Sequence, residues 1–314
     1  MAVYFSPGHF EGAVDLVENP ANVVTIYGEA PRDIFGIKSE IADIDGDGQN
    51  DLIVGAFYAN GAVGLDSGKL YTFSGALLTE FLNSGADLDL AQPWPQGVAA
   101  FDGPAAHSRL GVWMAAGDVD GDGQTDIVAG ADQADGGAGG SETGHVWVLP
   151  GPQKMEGGTI ELSTPPEATT VIFGVDAIDH LGATVVCADV DGDGFDDVVA
   201  GAAAFGTLRN AYNRTGGAGD GPNNDRPEAG EMWVVFGGPN LPAVIDLAVN
   251  PADAYRADGP GDTRDDAGDS YIVFGSPSLR GRVIDMAEPP SDVVVIYGAM
   301  DGAIRRRGYS RRWV

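Results

Sequence analysis

Three nine-residue segments share one pattern of side chains able to hold a metal: "DIDGDGQND" at 43–51, "DVDGDGQTD" at 118–126 and "DVDGDGFDD" at 189–197. Positions 1, 3, 5 and 9 of each are aspartate. Like charges this close repel, so such a cluster persists either fully solvated or around a cation. Glycines at positions 4 and 6 let the chain curl and aim several oxygens at one point. Position 7 varies (Gln49, Gln124, Phe195), which is intelligible if it offers only its backbone carbonyl. Oxygen donors in this number suit Ca²⁺ better than Zn²⁺ or Mg²⁺. An EF-hand would need a bidentate Glu at position 12 and flanking helices. Position 12 here is Val54, Ala129 or Ala200, and the flanks read as strand. The other reading is three solvated acidic turns. Recurrence in register after 75 and 71 residues weighs toward a bound cation.

The neighbours of the loops say what must position them. "FGIKSEIA", "LGVWMAAG" and "LGATVVCA" precede them, and "DLIVGA", "DIVAGA" and "DVVAGA" follow. Apolar runs on both sides of a tight acidic loop predict a β-hairpin. Next come "GKLYTFSG", "GHVWVLPG", "GEMWVVFGG" and "GDSYIVFGS", each rich in aromatic and β-branched residues. An "IDL"-like piece follows ("AVDL", "TIEL", "VIDL", "VIDM"), then "VVTIYG", "TTVIFG" or "VVVIYG", with "GVAAFDG" at 97–103 as a weaker version. One unit therefore holds four strands, and four-stranded units in series predict an all-β chain of propeller blades.

The run "LGxxVxxADVDGDGxxDxVxGA … GxxWVxFG" resembles the FG-GAP repeat of the integrin alpha-subunit N-terminal β-propeller. The same repeat occurs in glycosylphosphatidylinositol-specific phospholipase D and in many bacterial surface proteins. The resemblance covers most of residues 24–300. It implies a β-propeller with Ca²⁺ in the hairpin loop between the first two strands of a blade. It assigns three calcium sites: Asp43, Asp45, Asp47, Gln49 and Asp51; Asp118, Asp120, Asp122, Gln124 and Asp126; Asp189, Asp191, Asp193, Phe195 and Asp197. It also implies that partners bind the opposite face, which carries the loops between second and third strands.

The expected organisation is an incomplete propeller in a single repeat domain. A partial blade (1–28) precedes three calcium blades (29–103, 104–174, 175–253), then a truncated blade without the aspartate loop (254–300) and a basic tail (301–314). Asp258, Asp262, Asp265, Asp266 and Asp269 are not at ligand spacing and read as an acidic loop. The tail holds five arginines in its last ten residues. Too few units for a ring of about seven blades leave open sheet edges, which predict self-association. The opening "MAVYFSPGHF" has neither the basic nor the apolar region of a signal peptide.

Composition limits the partners. A formal charge of −30 disfavours nucleic acid and anionic membrane surfaces. No apolar run is long enough to insert in a membrane. Cys187 is alone and lies in an apolar run, so it reads as a buried, inert thiol. His107 and His180 read as structural members of the loops before "LG". No nucleophile elbow, zinc-protease motif or phosphate loop is present, so no enzyme is expected. Two long loops, 131–144 and 202–231, fall between second and third strands. In the longer one Phe205, Arg209, Tyr212 and Arg214 have the composition of partner-binding anchors. The function expected is a calcium-binding, non-catalytic module for adhesion or recognition of a protein or cell-surface ligand, located outside the cell, at its surface or in a periplasm. The alternatives are an accessory portion of a secreted hydrolase and a gene fragment.

Overall fold

Among the described residues, the apolar runs that flank the aspartate loops and those that follow them become strands. The computed structural model describes residues 2–4, 23–136, 140–203, 230–239, 241–247, 254–258, 269–273 and 293–297. Strand β1 (Ala2–Tyr4) pairs antiparallel with β2 (Val23–Tyr27). Strands β3 (Ser39–Ala42), β4 (Asp51–Ala56) and β5 (Lys69–Phe73) form an antiparallel meander. Helix α1 (Gly75–Ser84) follows, β6 (Leu88–Asp89) returns to lie parallel to β2, and β7 (Val98–Asp102) closes the meander on β5. The second unit repeats this with β8 (Leu110–Gly117), β9 (Asp126–Ala131), β10 (His145–Leu149), β11 (Gly158–Glu161) and β12 (Thr170–Phe173). The third has β13 (Leu181–Ala188), β14 (Asp197–Ala202), β15 (Glu231–Val235), β16 (Val244–Asp246) and β17 (Ala254–Asp258). Strands β18 (Asp269–Val273) and β19 (Val293–Tyr297) pair antiparallel by themselves. The chain is thus an all-β series of propeller-type sheets, none of which closes on itself among the described residues.

Two of the "IDL"-like pieces, "TIEL" in β11 and "VIDL" in β16, sit elsewhere than the sequence order places them, and β6, which the sequence reading did not include among them, behaves alike; "AVDL" and "VIDM" lie outside the described residues. Each of the three strands leaves its own unit and adds a parallel strand to the outer edge of the preceding sheet: β6 on β2, β11 on β7, β16 on β12. The fourth strand of a blade would otherwise present unpaired amides and carbonyls to solvent. A short parallel pairing between units leaves no local signature in sequence. Asp258, which sequence groups with an acidic loop, ends β17, and β17 lies against β15 as the fourth strand of its sheet.

Helix α1 was also not foreseen. Ser74 caps it, its hydroxyl accepting the Leu77 amide at 3.2 Å, and Gly85 ends it in the left-handed region. Leu77 and Leu78 are buried, and Phe81 and Leu82 pack against the same core. The apolar pairs one turn apart were a legible helix signal.

Sheets stack face to face, so successive residues of one strand serve different cores. Leu52 and Val54 pack with Val24, Ile26, Tyr71 and Phe73, whereas Ile53 joins Leu110, Met114, Ile127 and Trp147. Val128, Val146 and Ile172 then face Leu181, Val185, Val198 and Trp233. Because both faces are covered, β4 and β9 are buried along their whole length, which explains their uninterrupted apolar sequence. Backbones meet directly between neighbouring sheets. A Cβ on Gly55 would lie 2.1 Å from the carbonyl oxygen of Gly111, and one on Gly130 would lie 2.0 Å from that of Gly182. Only glycine allows this approach.

Candidate metal centre

The aspartate loops join β3 to β4, β8 to β9 and β13 to β14, at the same end of three successive sheets. One wiring scheme folds all three. The position-1 carboxylate accepts the amides of positions 4 and 6: Asp43 from Gly46 and Gly48 (2.9 and 3.0 Å), Asp118 from Gly121 and Gly123 (2.8 and 3.0 Å), Asp189 from Gly192 and Gly194 (2.7 and 3.0 Å), and Asp189 also takes the Asp193 amide at 3.1 Å. Positions 4 and 6 must turn with positive φ to present those amides; in the first loop Gly46 and Gly48 have φ of 78° and 87°. Position 5 takes the amide of position 7, with Gln49, Gln124 and Phe195 donating to Asp47, Asp122 and Asp193 at 2.7, 2.7 and 3.0 Å.

Position 9 anchors the loop to its sheet. Asp51, Asp126 and Asp197 accept the position-2 amide through one oxygen, at 3.0, 2.9 and 2.8 Å. The other oxygen accepts the amide of Gly75, Gly151 or Gly237, each at 2.9 Å. Those glycines stand two residues beyond the third strand of each unit. A Cβ there would lie 2.4, 2.5 or 2.3 Å from the carbonyl oxygen of position 8. They are site residues that sequence reasoning missed, although the glycine ending "YTFSG", "WVLPG" and "WVVFG" was the signal.

The result is three groups of acidic oxygens lying within 4.8 Å of one another: Asp43, Asp45 and Asp51; Asp118, Asp120 and Asp122; Asp189, Asp191 and Asp197. Asp47, Asp126 and Asp193 belong to the loops but not to these tightest groups. Oxygens bound to one Ca²⁺ lie at most about 5 Å apart, twice the usual bond length. The donor set therefore fits a hard divalent cation. The electrostatics point the same way. Burial drives the Asp126 carboxyl up to about 6, against the amides of Gly151 and Val119. Burial also raises Asp45, Asp51, Asp120 and Asp197, with neighbouring loop carboxylates adding to each rise. A cation among these oxygens would reverse that cost.

Residues 110–149 match the FG-GAP repeat. The matched FG-GAP repeat contains β8, the second aspartate loop, β9 and β10. The same strand–loop–strand–strand geometry recurs in β3–β5 and β13–β15. The FG-GAP repeat is a non-catalytic module of β-propeller type used in recognition. No curated protein matches the chain.

The loops before each first strand lie at the other end of the sheets. Each carries two non-glycine residues with positive φ: Arg32 and Ile34, His107 and Arg109, Ile178 and His180. His180 thus takes the place of Arg109, not of His107, as the sequence spacing from "LG" already indicates. Both latch neighbouring sheets. The Arg109 guanidinium lies over Phe57 and Tyr58 at 5.0 and 5.3 Å and 3.5 Å from Asp132, while His180 Nδ1 lies 3.0 Å from the Asp132 carbonyl oxygen. Burial raises Asp132 to about 6, partly offset by Arg109. Cys187 is half-buried, and burial followed by the charge of Asp196 pushes its thiol up to about 12, which keeps it protonated. Phe205, Arg209, Tyr212 and Arg214 lie outside the described residues, as do Asp262, Asp265, Asp266 and His9.

Proposed function

We propose that this chain is a calcium-stabilised recognition module that works outside the cell, at the cell surface or in a periplasm, and performs no catalysis. The observation that carries the reading is that each of the three aspartate loops brings three carboxylates together, positions 1, 3 and 9 in the first and third and positions 1, 3 and 5 in the second, with oxygens close enough for a single ion. Calcium would tie the hairpin end of each sheet and leave the other end for a partner. That other end has a concavity of about 360 Å³ lined by Arg32, Ile34, Tyr58 and Asp66, a mix of cation, anion and aromatic side chain suited to a protein or cell-surface ligand. Sites of the class found in extracellular modules fill at about 0.1–1 mM free calcium, a level the cytosol does not reach. Among the described residues no helix is long and apolar enough to cross a membrane.

Calorimetric titration with Ca²⁺, paired with thermal melts in calcium and in chelator, tests the proposal. For a dissociation constant of about 0.1 mM, 2 mM calcium stabilises the folded state by about 1.8 kcal/mol per site. Three sites and a melting temperature that rises with calcium and falls on chelation are expected. Absence of binding heat together with superimposable melts would reject the calcium assignment.

A further inference from the structure

The three loops are chemically alike but are not joined alike. The second and third touch through their backbones. The Asp118 amide donates to Asp196 Oδ2 at 3.0 Å, and the Asp196 amide donates to the Asp118 carbonyl oxygen at 2.9 Å. The Phe195 ring rests on Gly121, where a Cβ would meet it at 1.9 Å, and the Gly238 amide donates to the Val119 carbonyl oxygen at 2.8 Å. Phe195, Asp196 and Gly238 thus grip residues 118–121 of the other loop. The junction of first and second loops is weaker. The Gln153 amide donates to the Ile44 carbonyl oxygen at 2.6 Å, and the Gln124 side chain lies against Gly46. Thr125 stands where the third loop has Asp196, and among the described residues no reciprocal pair joins it to Asp43.

The placement of the grip matters more than its size. Asp118 is the pivot of the second loop, since its carboxylate takes two amides and also belongs to the second oxygen group. Asp196 lies between Phe195, at the position whose carbonyl is the expected ligand, and Asp197, a member of the third oxygen group. An ion in the third loop would fix 195–197 and so hold Asp196 on the Asp118 backbone. An ion in the second loop would fix Asp118 and so hold Asp196. Ordering paid for by the first ion is not charged to the second, which is positive coupling, and such coupling is reciprocal. The Asp196 carboxylate also places a negative charge at the junction of the second and third loops, where Thr125 places none at the other junction.

Resting on the calcium reading above, we infer that the second and third loops bind metal as a coupled pair, with Asp196 as the positioning residue, while the first loop binds independently. The test is a Ca²⁺ titration followed site by site through the amide signals of Gly48, Gly123 and Gly194, which report the first, second and third loops. Asp191→Ala, which removes a ligand of the third group, should weaken the second site by about fivefold or more, the lower end of ordinary coupling, and leave the first unchanged. In Asp196→Thr, which copies the weaker junction, all three sites should still fill, but Asp191→Ala should no longer affect the second. Without metal, the Asp118 amide should exchange faster in Asp196→Thr than in the unmodified chain. An unchanged second site in Asp191→Ala, or equal weakening of the first and second, overturns the coupling while leaving calcium binding intact. Failure of the unmodified chain to bind calcium at any loop overturns both readings.

Discussion

Replacing Gly130 by alanine tests whether neighbouring sheets meet backbone to backbone as described. The new Cβ would stand 2.0 Å from the Gly182 carbonyl oxygen, 2.9 Å from its carbon and 3.2 Å from its Cα. An ordinary carbon–oxygen contact is about 3.3 Å, so the two sheets must separate by more than about 1 Å. No side chain can swing aside, because the obstacle is main chain. Gly182 has a φ of 89°, at the start of a strand whose register shifts between Leu181 and Thr184. The core that opens holds Val128, Val146, Val185, Val198 and Trp233. A gap of 0.5–1 Å forfeits about a quarter to a half of each van der Waals contact. Overpacking of this kind costs about 3 kcal/mol, of which about 0.5–1 kcal/mol is recovered because alanine has less chain entropy to lose. The net loss of about 2 kcal/mol should lower the melting temperature by about 3 °C for a chain of 314 residues. Scanning calorimetry on Gly130→Ala, Gly55→Ala and Gly158→Ala supplies the comparison. Gly55 meets the Gly111 carbonyl oxygen at 2.1 Å and should behave like Gly130, whereas a Cβ on Gly158 meets nothing within 4 Å and should leave the melt unchanged or slightly raised. If Gly130→Ala melts with Gly158→Ala, the sheets are not packed in this register.

Gly151→Ala should loosen the second loop even without metal. Its Cβ would stand 2.5 Å from the Thr125 carbonyl oxygen and displace the amide that Asp126 accepts; faster exchange of the Gly123 amide is the readout, and unaltered protection would contradict the anchoring role. Stability should also carry a histidine signature. Burial holds His145 down at about 4, from an ordinary value of 6.5, so its neutral form is the native one. Since the folded value is depressed, the unfolded chain binds the extra proton, and stability falls as pH drops from 6.5 toward 4. At pH 4.5 the loss attributable to this ring is about 2 kcal/mol. His145→Phe, which keeps an aromatic ring against Phe173, should match the unmodified chain in urea at pH 7 and exceed it at pH 4.5. Asp132, raised to about 6, titrates in the opposite sense in both proteins and cancels from the comparison. Parallel pH profiles for the two proteins would show that His145 is not buried neutral.

The strands and the aspartate loops were legible in sequence because their signals are local. Three copies of an aspartate pattern, each between apolar runs, define a hairpin and its loop without knowledge of anything distant. What escaped is non-local. The short parallel strands β6, β11 and β16 belong to the neighbour's sheet, and nothing within three or four residues of sequence declares a partner about 60–75 positions away. Gly75, Gly151 and Gly237 look like strand punctuation until the fold brings them under the carbonyl of position 8. Helix α1 is the exception, since its apolar pairs were visible and only the expectation of an all-strand unit hid them.

The difference between Thr125 and Asp196 shows the same boundary at a single position. Both are the eighth residue of an aspartate loop, and both sit beside the anchoring aspartate. Read along the chain, the extra carboxylate of the third loop is one more acidic residue among many. Read across the sheets, it is the side chain that meets the Asp118 amide of the preceding loop. A pattern search weighs positions 1, 3, 5 and 9 because their aspartates are what the three loops share. At position 8 of the third loop the side chain faces the preceding blade, so its meaning depends on what stands there. Repeats of one sequence pattern can therefore fold into equivalent loops and still differ in how those loops are joined, and the difference resides in residues the pattern leaves free.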